Sequence, residues 1–312
     1  MILNSMDNYK AKKKKNQELI NVISKHLSEQ NLDLIWNCGT YLEFYSDKKI
    51  ENKKLNKANF CKNRFCPMCA WRKARKDALQ VAILMQYLKQ EKGLEFVMMT
   101  LTAPNVPGEN LKNEITRYNK NFKKLIERKE LKKISYGYIR KLEVTYNQER
   151  DDFHPHFHVI IAVDKKYFKS RNYISKQRLL VMWQNVMNDD TITQVDIRKI
   201  SADDNKAISE IAKYTAKDSD YMTSQDVFDY FYKALKNRQV VTYGGVFKEA
   251  LVLFKNGELD KYKEIDYTEY VYQIVFKWNR NFAEYIQYEL RELDEYERIK
   301  INKKLIDELD ID

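Results

Sequence analysis

The chain has 312 residues and carries 56 Lys and Arg against 45 Asp and Glu, a formal charge of +11, with 44% hydrophobic residues. It is long enough for two domains and apolar enough to give each a core. Seven glycines and four prolines are too few for a collagenous or low-complexity chain. Neither a GxxxxGK(S/T) phosphate loop nor a GxGxxG turn occurs, so any ATP-driven step must come from a partner. No run of about 18 apolar residues occurs, and the N-terminus MILNSMDNYKAKKKKNQ has no apolar signal core. The expected location is the cytoplasm, with no membrane partner.

Charge is unevenly spread. Residues 284–312 hold ten acidic and five basic side chains, which leaves +16 on residues 1–283 and makes that body a polyanion binder by composition. The cluster Lys10, Lys12, Lys13, Lys14 and Lys15 reads as a frayed basic tail that touches phosphate without reading sequence. All four cysteines lie in the first quarter: Cys38, then Cys61, Cys66 and Cys69 in CKNRFCPMC. Disulfides are rare in the cytoplasm, and four thiolates with a tight CxxC arm fit one closed, structural Zn site. The following AWRKARKDALQVAILMQYLKQ predicts a helix, with Leu79, Ile83 and Tyr87 at i, i+4 spacing. Arg72, Lys73, Arg75 and Lys76 crowd its first turns and, with Arg64 in the cysteine stretch, are the expected duplex contacts.

After Gly93, EFVMMTLTAPNV predicts a strand stopped by Pro104 and Pro107, followed by a basic helix over 110–133. Residues 110–141 carry eleven Lys and Arg against three Glu, with Tyr118, Phe122, Tyr136 and Tyr138 interleaved. That pattern suits a groove that tracks a nucleic-acid strand, with Lys123 and Lys124 as phosphate contacts, and equally suits a solvated helix face.

YGYIRKLEVTYNQERDDFHPHFHVIIAV then predicts a hairpin turning at about 147–152, whose second arm carries three of the four histidines, His154, His156 and His158. Alternation puts them on one sheet face. With the turn centred between Glu149 and Arg150, paired positions sum to 299, and Glu143 faces His156. Two imidazoles and a carboxylate would then converge on one cation and leave positions open for water and substrate.

A helix near 175–187 and the strand TQVDIRKI follow. DDNKAISEIAKYTAKD predicts a further helix over 203–218, on which Glu210, Tyr214 and Lys217 share one stripe. Such a stripe is also an ordinary solubility pattern. Beside a metal, a phenol can attack phosphorus while a carboxylate activates a second nucleophile. Residues 225–279 predict a helix, the strand QVVTYGG and a strand near YVYQIVFKW. From 284 onward Ile286, Leu290, Leu293 and Tyr296 have helical spacing, as for a homodimer contact or a domain cap.

In this order, the strand VMMTLT, the HPHFH histidines and the helix EIAKYTAK resemble the three motifs of HUH endonucleases. CKNRFCPMCAWRKARKDAL upstream, with a glutamate one turn before Tyr214, is similar to the pC194-like group of rolling-circle plasmid replication initiators, over residues 30 to 280. The resemblance implies an α+β fold: a central antiparallel sheet of about five strands flanked by helices, here with an N-terminal zinc module. It implies a nickase and strand transferase that cuts the plus strand of the double-strand origin, stays attached through a 5′-phosphotyrosine, leaves a 3′-OH for host polymerase and depends on a host helicase. It assigns His156 and His158 to a catalytic Mg2+ or Mn2+, Tyr214 to the nucleophile, Glu210 to the water of the terminating cut and Lys217 to the motif lysine. Glu143 comes from hairpin register alone, and His154 is left as a neighbour of the metal or a DNA contact.

The expected division is a basic tail, zinc module and helix over 1–92, the endonuclease core over 93–245 and an extension over 246–312. A two-tyrosine transposase would need a tyrosine where Glu210 stands, and a relaxase would place its tyrosine ahead of the histidines. A zinc-dependent regulator without catalysis would use residues 30–90 alone.

Overall fold

A computed structural model describes residues 5–213, 215–302 and 304–309. Among the described residues the strands are β1 (Tyr41–Ser46), β2 (Lys53–Ala58), β3 (Leu94–Leu101), β4 (Gly137–Asn147), β5 (Asp152–Asp164), β6 (Val195–Ile200), β7 (Val241–Gly245), β8 (Tyr272–Asn279) and β9 (Glu284–Glu292). They form two antiparallel sheets, of order β2-β1-β8-β9 and β6-β3-β5-β4-β7. Helices flank both, and the fold is α+β as the sequence predicts.

Contacts divide the chain into two units, Met1–Lys73 with Lys263–Asp307 and Ala74–Tyr262 with Glu308–Asp312. This differs from the three consecutive segments read from the sequence. The boundary near 92 moves into the helix Pro67–Lys92, and the extension after 245 is shared between the units. The cause is strand pairing: β1 finds its second neighbour in β8, with Phe44 opposite Ile274, more than two hundred residues later.

The first unit holds two departures from expectation. Residues Ser5–Ile23 form a helix, and Lys13 within it is fully buried, so the basic cluster is not a frayed tail. Residues 284–292 form an edge strand instead of a helix, and the helix Glu295–Ile301 starts only after an Asp294–Glu297 capping box. A spacing of four is a multiple of two as well as close to 3.6, so Ile286 and Leu290 also satisfy strand alternation. Pairing with β8 decides for the strand, with Ile286 opposite Lys277 and Leu290 opposite Ile274, and an irregularity between Val275 and Phe276 turns these two exposed side chains to opposite faces.

In the second unit both faces of the five-stranded sheet are covered. Phe157, Val159 and Ile161 of β5 point to one face, where Phe157 meets Tyr118 at 5.4 Å and Phe122 at 5.7 Å between ring centroids. Tyr118 and Phe122 are thus core residues of the helix Gly108–Glu127 and not a stacking platform for bases. Tyr138 packs on Phe122, and only Tyr136 of the four aromatics is exposed. The predicted helix over 110–133 breaks at Arg128 (ψ 142°) and resumes as Lys129–Ile134.

On the opposite face, Ile160 and Ala162 of β5 with Phe96 and Met98 of β3 join Ala207, Ile208 and Ile211 in one core. Helix Val246–Lys255, unforeseen in the sequence, adds Phe247 and Ala250. Its entry is tight: a Cβ on Gly137 would lie 2.5 Å from the Gly244 carbonyl oxygen, and Gly245 has φ +54°.

Phe157→Ala tests this packing. Phe157 is fully buried and lies 4.4 Å from the Arg140 guanidinium, whose pKa burial lowers to about 10. The substitution should lower the urea midpoint by the equivalent of about 3–5 kcal/mol at unchanged m value.

Candidate functional site

The hairpin of β4 and β5 pairs as the sequence arithmetic requires: Glu143 opposite His156, Thr145 opposite His154 and Lys141 opposite His158. Parity puts all six on one sheet face. Glu143 Oε2 lies 3.0 Å from His158 Nε2 and 3.4 Å from His156 Nε2. The far edges of the rings are engaged separately. His156 Nδ1 is 3.3 Å from the His154 carbonyl oxygen, and His158 Nδ1 is 3.5 Å from Thr100 Oγ1 and 4.0 Å from Glu210 Oε2. Both Nε2 atoms face Glu143; with a cation bound there and the ring protons on Nδ1, both Nε2 lone pairs would turn to the ion, the arrangement of metal-bound histidines.

The geometry fits a cation. Adjacent ligands of an octahedral ion bound at about 2.1 Å stand about 3 Å apart, close to the spacings seen. Burial alone would raise the Glu143 pKa, but hydrogen bonds with His156 and His158 outweigh it and hold the carboxyl well below its usual range. Burial also lowers the pKa of His154, with the neighbouring His156 contributing.

Glu210 sits on the helix Asn205–Ala212, whose buried Ala207, Ile208, Ile211 and Ala212 anchor it to the sheet. Arg198 of β6 holds it, with Nη2 3.4 Å from Glu210 Oε2 and Nη1 3.3 Å from Asp204 Oδ2, the N-cap of the same helix. The expected helix over 203–218 is therefore corrected. It ends at Ala212; Lys213 is extended (ψ 172°), and Lys217 is the exposed N-cap of a separate turn, Asp218–Tyr221. The reason is a tertiary hydrogen bond: Val144 N–H donates to the Thr215 carbonyl at 2.7 Å, drawing that segment to the edge of β4. Lys217 consequently does not share a helical stripe with Glu210. Tyr214 lies outside the described residues.

Arg198, Thr100 and the buried Lys141 were not singled out from the sequence. Arg198 and Thr100 reach the site only through the pairing of β3 with β5 and β6, a long-range fact that no local pattern carries. Lys141 was within reach of the hairpin register.

The second cluster, in the other unit, contains Cys38, Cys61, Cys66 and Cys69. Sγ separations are 3.6 Å for Cys38–Cys69, Cys61–Cys69 and Cys38–Cys66. Tetrahedral Zn–S bonds of about 2.3 Å give sulfur spacings of about 3.8 Å, so the set could hold zinc. The sulfurs are also hydrogen-bond acceptors, from Cys61 N–H to Cys38 (3.4 Å), Lys62 N–H to Cys69 (3.2 Å) and Asn16 Nδ2 to Cys66 (3.3 Å). Sharing of protons with Cys38 and the other thiols holds the Cys66 pKa well below normal. Beside them Lys13 Nζ donates to the carbonyls of Trp36 and Cys38, both at 2.8 Å, and to Asn16 Oδ1 at 2.9 Å. Burial pulls its pKa to about 8 against the opposing pull of Cys38 and Cys66. The lysine offsets thiolate charge and ties the N-terminal helix to the cluster.

The expected DNA contacts separate into two groups. Arg64, Lys73 and Lys76 are exposed, as are Lys123 and Lys124, which ride a helix on the sheet face opposite the histidines. Arg72 bonds the Tyr9 hydroxyl and lies 5.2 Å over Phe60, and Arg75 pairs with Glu308 at 3.4 Å. Among the described residues the cysteine set and the Glu143 set are the two groups able to hold a metal, and no helix is long and apolar enough to cross a membrane.

Two variants test the cysteine cluster. Cys66→Ser should reduce bound zinc from one per chain to a small fraction, read by atomic absorption. Lys13→Met, which leaves two buried carbonyls without their donor, should cost about 1–3 kcal/mol and speed zinc loss to a competing chelator. Unchanged zinc content and release in both would remove zinc from the account.

Residues 52–286 match the Rep_1 family model, described as a replication protein. A "Protein rep" of Staphylococcus aureus is 52% identical over 222 residues, covering 71% of this chain and 97% of the relative. A "Protein rep" of Bacillus amyloliquefaciens is 34% identical over 280 residues, covering 80% and 82%. One of Streptococcus pneumoniae is 36% identical over 229 residues, covering 71% of each chain. No solved structure is matched. With a carboxylate and two histidines on one sheet face, a four-cysteine cluster and this similarity along most of its length, the chain belongs to the Rep_1 family of plasmid replication proteins.

Proposed function

We propose that this replication initiator binds the double-strand origin of its plasmid in the bacterial cytoplasm, nicks the plus strand through a 5′-phosphotyrosine on Tyr214, and terminates and rejoins the strand after one round. The observation that carries the reading is the convergence of Glu143 Oε2, His156 Nε2 and His158 Nε2 on one point of the sheet face. A Mg2+ or Mn2+ ion held there would polarise the scissile phosphodiester and offset charge developing on its oxygens.

In the first cut the Tyr214 phenolic oxygen attacks phosphorus. The bond to the 3′-oxygen breaks, and that oxygen takes up a proton as the phenol loses one. The free 3′-OH primes host polymerase, while a host helicase opens the duplex. Glu210 serves the second cut, taking a proton from the water that attacks the regenerated site. The 3′-OH thereby released attacks the phosphotyrosine, closes the circle and frees Tyr214. Support for this role of Glu210 is its position at the Nδ1 edge of His158, held by Arg198. Lys217, off the helix, is left as a phosphate contact from the loop.

Tyr214→Phe should bind origin DNA as the wild type does and give no open circles from supercoiled plasmid with Mn2+. Wild-type nicking by that variant would move the nucleophile elsewhere, with Tyr221 next to be tested. Glu210→Ala should still form the covalent adduct, lose about 10^2 to 10^4 in the rate of the second cut and accumulate multimeric single strands. Loss of the first nick would instead make Glu210 a support of the metal histidines.

A further inference from the structure

The site face has two unlike ends. Beyond His158, the next positions inward are Met98, Ile139 and Ile160, all within 1% of full burial and covered by the helix Asn205–Ala212. Nothing as polar as a DNA strand can reach the cluster from that side. Beyond His156, towards the hairpin turn, the face opens into a cavity of about 580 Å3 lined by Thr102, Asn105, Thr145, Asn147, Arg150 and His154. This size is that of a small-ligand site.

The floor of the cavity is the pair Thr145 and His154, one step along the face from Glu143 and His156. Two residues of strand span about 6.7 Å, so floor and cluster are immediate neighbours. The His154 ring stacks on His156 with centroids 5.1 Å apart. The walls are preset. Asn105 Nδ2 donates to Asp152 Oδ1 at 2.7 Å, Arg150 Nε to Asp152 Oδ2 at 3.0 Å, and Thr102 Oγ1 to the Gln194 carbonyl at 2.8 Å. Hydroxyl, amide and imidazole groups in this setting supply both donors and acceptors, as recognition of a base edge requires. Arg150, at the exposed rim, suits a phosphate.

We propose that this cavity is the subsite for one unstacked nucleotide of single-stranded DNA, the one adjoining the phosphodiester at the metal cluster, with Thr145 and His154 reading its base. It rests on the reading that the cluster cuts DNA, and it adds a source of sequence choice at the cut itself, apart from the basic surfaces that hold the backbone.

The test uses the full chain with Mg2+ and the four deoxynucleoside 5′-monophosphates, with deoxyribose 5-phosphate as the baseless control, titrated by calorimetry. Wild type should bind one of the four at least about tenfold more tightly than the control, the discrimination that a good base contact provides. His154→Ala should bring that nucleotide to within about twofold of the control. Thr145→Trp, which fills the cavity, should abolish binding while thermal unfolding stays two-state. Equal binding of all five probes by wild type, or an undiminished preference in His154→Ala, would overturn the proposal. Plasmid nicking is scored in parallel. If wild type discriminates the nucleotides without nicking, the subsite stands and the nicking reading falls. If wild type nicks and His154→Ala nicks with the same base preference at the cut, the subsite falls and nicking stands.

Discussion

The candidate site depends on one register. In the β4–β5 hairpin, Glu143 must stand opposite His156 for a carboxylate and two imidazoles to share a face. A slip of one residue along β5 would turn every side chain of that strand to the other face, putting Phe157 beside Glu143 and the histidines among Tyr118 and Phe122. The slip is opposed from both sides. Phe153, Phe157, Val159 and Ile161 fill one core, and Ile160 and Ala162 fill another. The turn adds its own constraint, with Asp151 in the left-handed region (φ +50°) and Asn147 Oδ1 accepting from Arg150 N–H. Apolar burial therefore fixes where the polar atoms converge.

The same face changes character along its length, from Ile160 through His158 and His156 to the open cleft at His154. The apolar end holds the helix that presents Glu210 and the polar end admits solvent. Glu210 is presented by an eight-residue helix whose buried Ala207, Ile208, Ile211 and Ala212 seat it on the sheet. Arg198 braces it from the edge strand β6 and is itself paired with Asp204, the N-cap of the same helix. A carboxylate left mobile would lose side-chain entropy on each ordering, whereas this one is held by Arg198.

Much of this was legible in the sequence, and the boundary of legibility has a physical reason. The hairpin, its turn and the Glu143–His156 pairing followed from period-two alternation and a short connection, which are local. The cysteine cluster followed from spacing and ligand chemistry, although Cys38 comes from a separate segment. What failed were features decided by distant partners. Thr215 leaves the helix because Val144 offers it a hydrogen bond, the basic residue Lys13 is buried because carbonyls of Trp36 and Cys38 surround it, and residues 284–292 are a strand because β8 lies beside them. Tyr118 and Phe122 looked like a stacking surface because a basic amphipathic helix and a nucleic-acid groove share one composition. Only the sheet on which the helix packs tells them apart.

The most direct measurement is electron–nuclear double resonance on the protein loaded with one Mn2+ per chain, zinc having first filled the cysteines. Two nitrogen couplings from directly bound imidazoles, with one lost in His156→Ala, another lost in His158→Ala and Mn2+ affinity weakened in Glu143→Gln, are the predicted result. Mn2+ bound with no nitrogen coupling, or bound equally well by all three variants, would contradict the account.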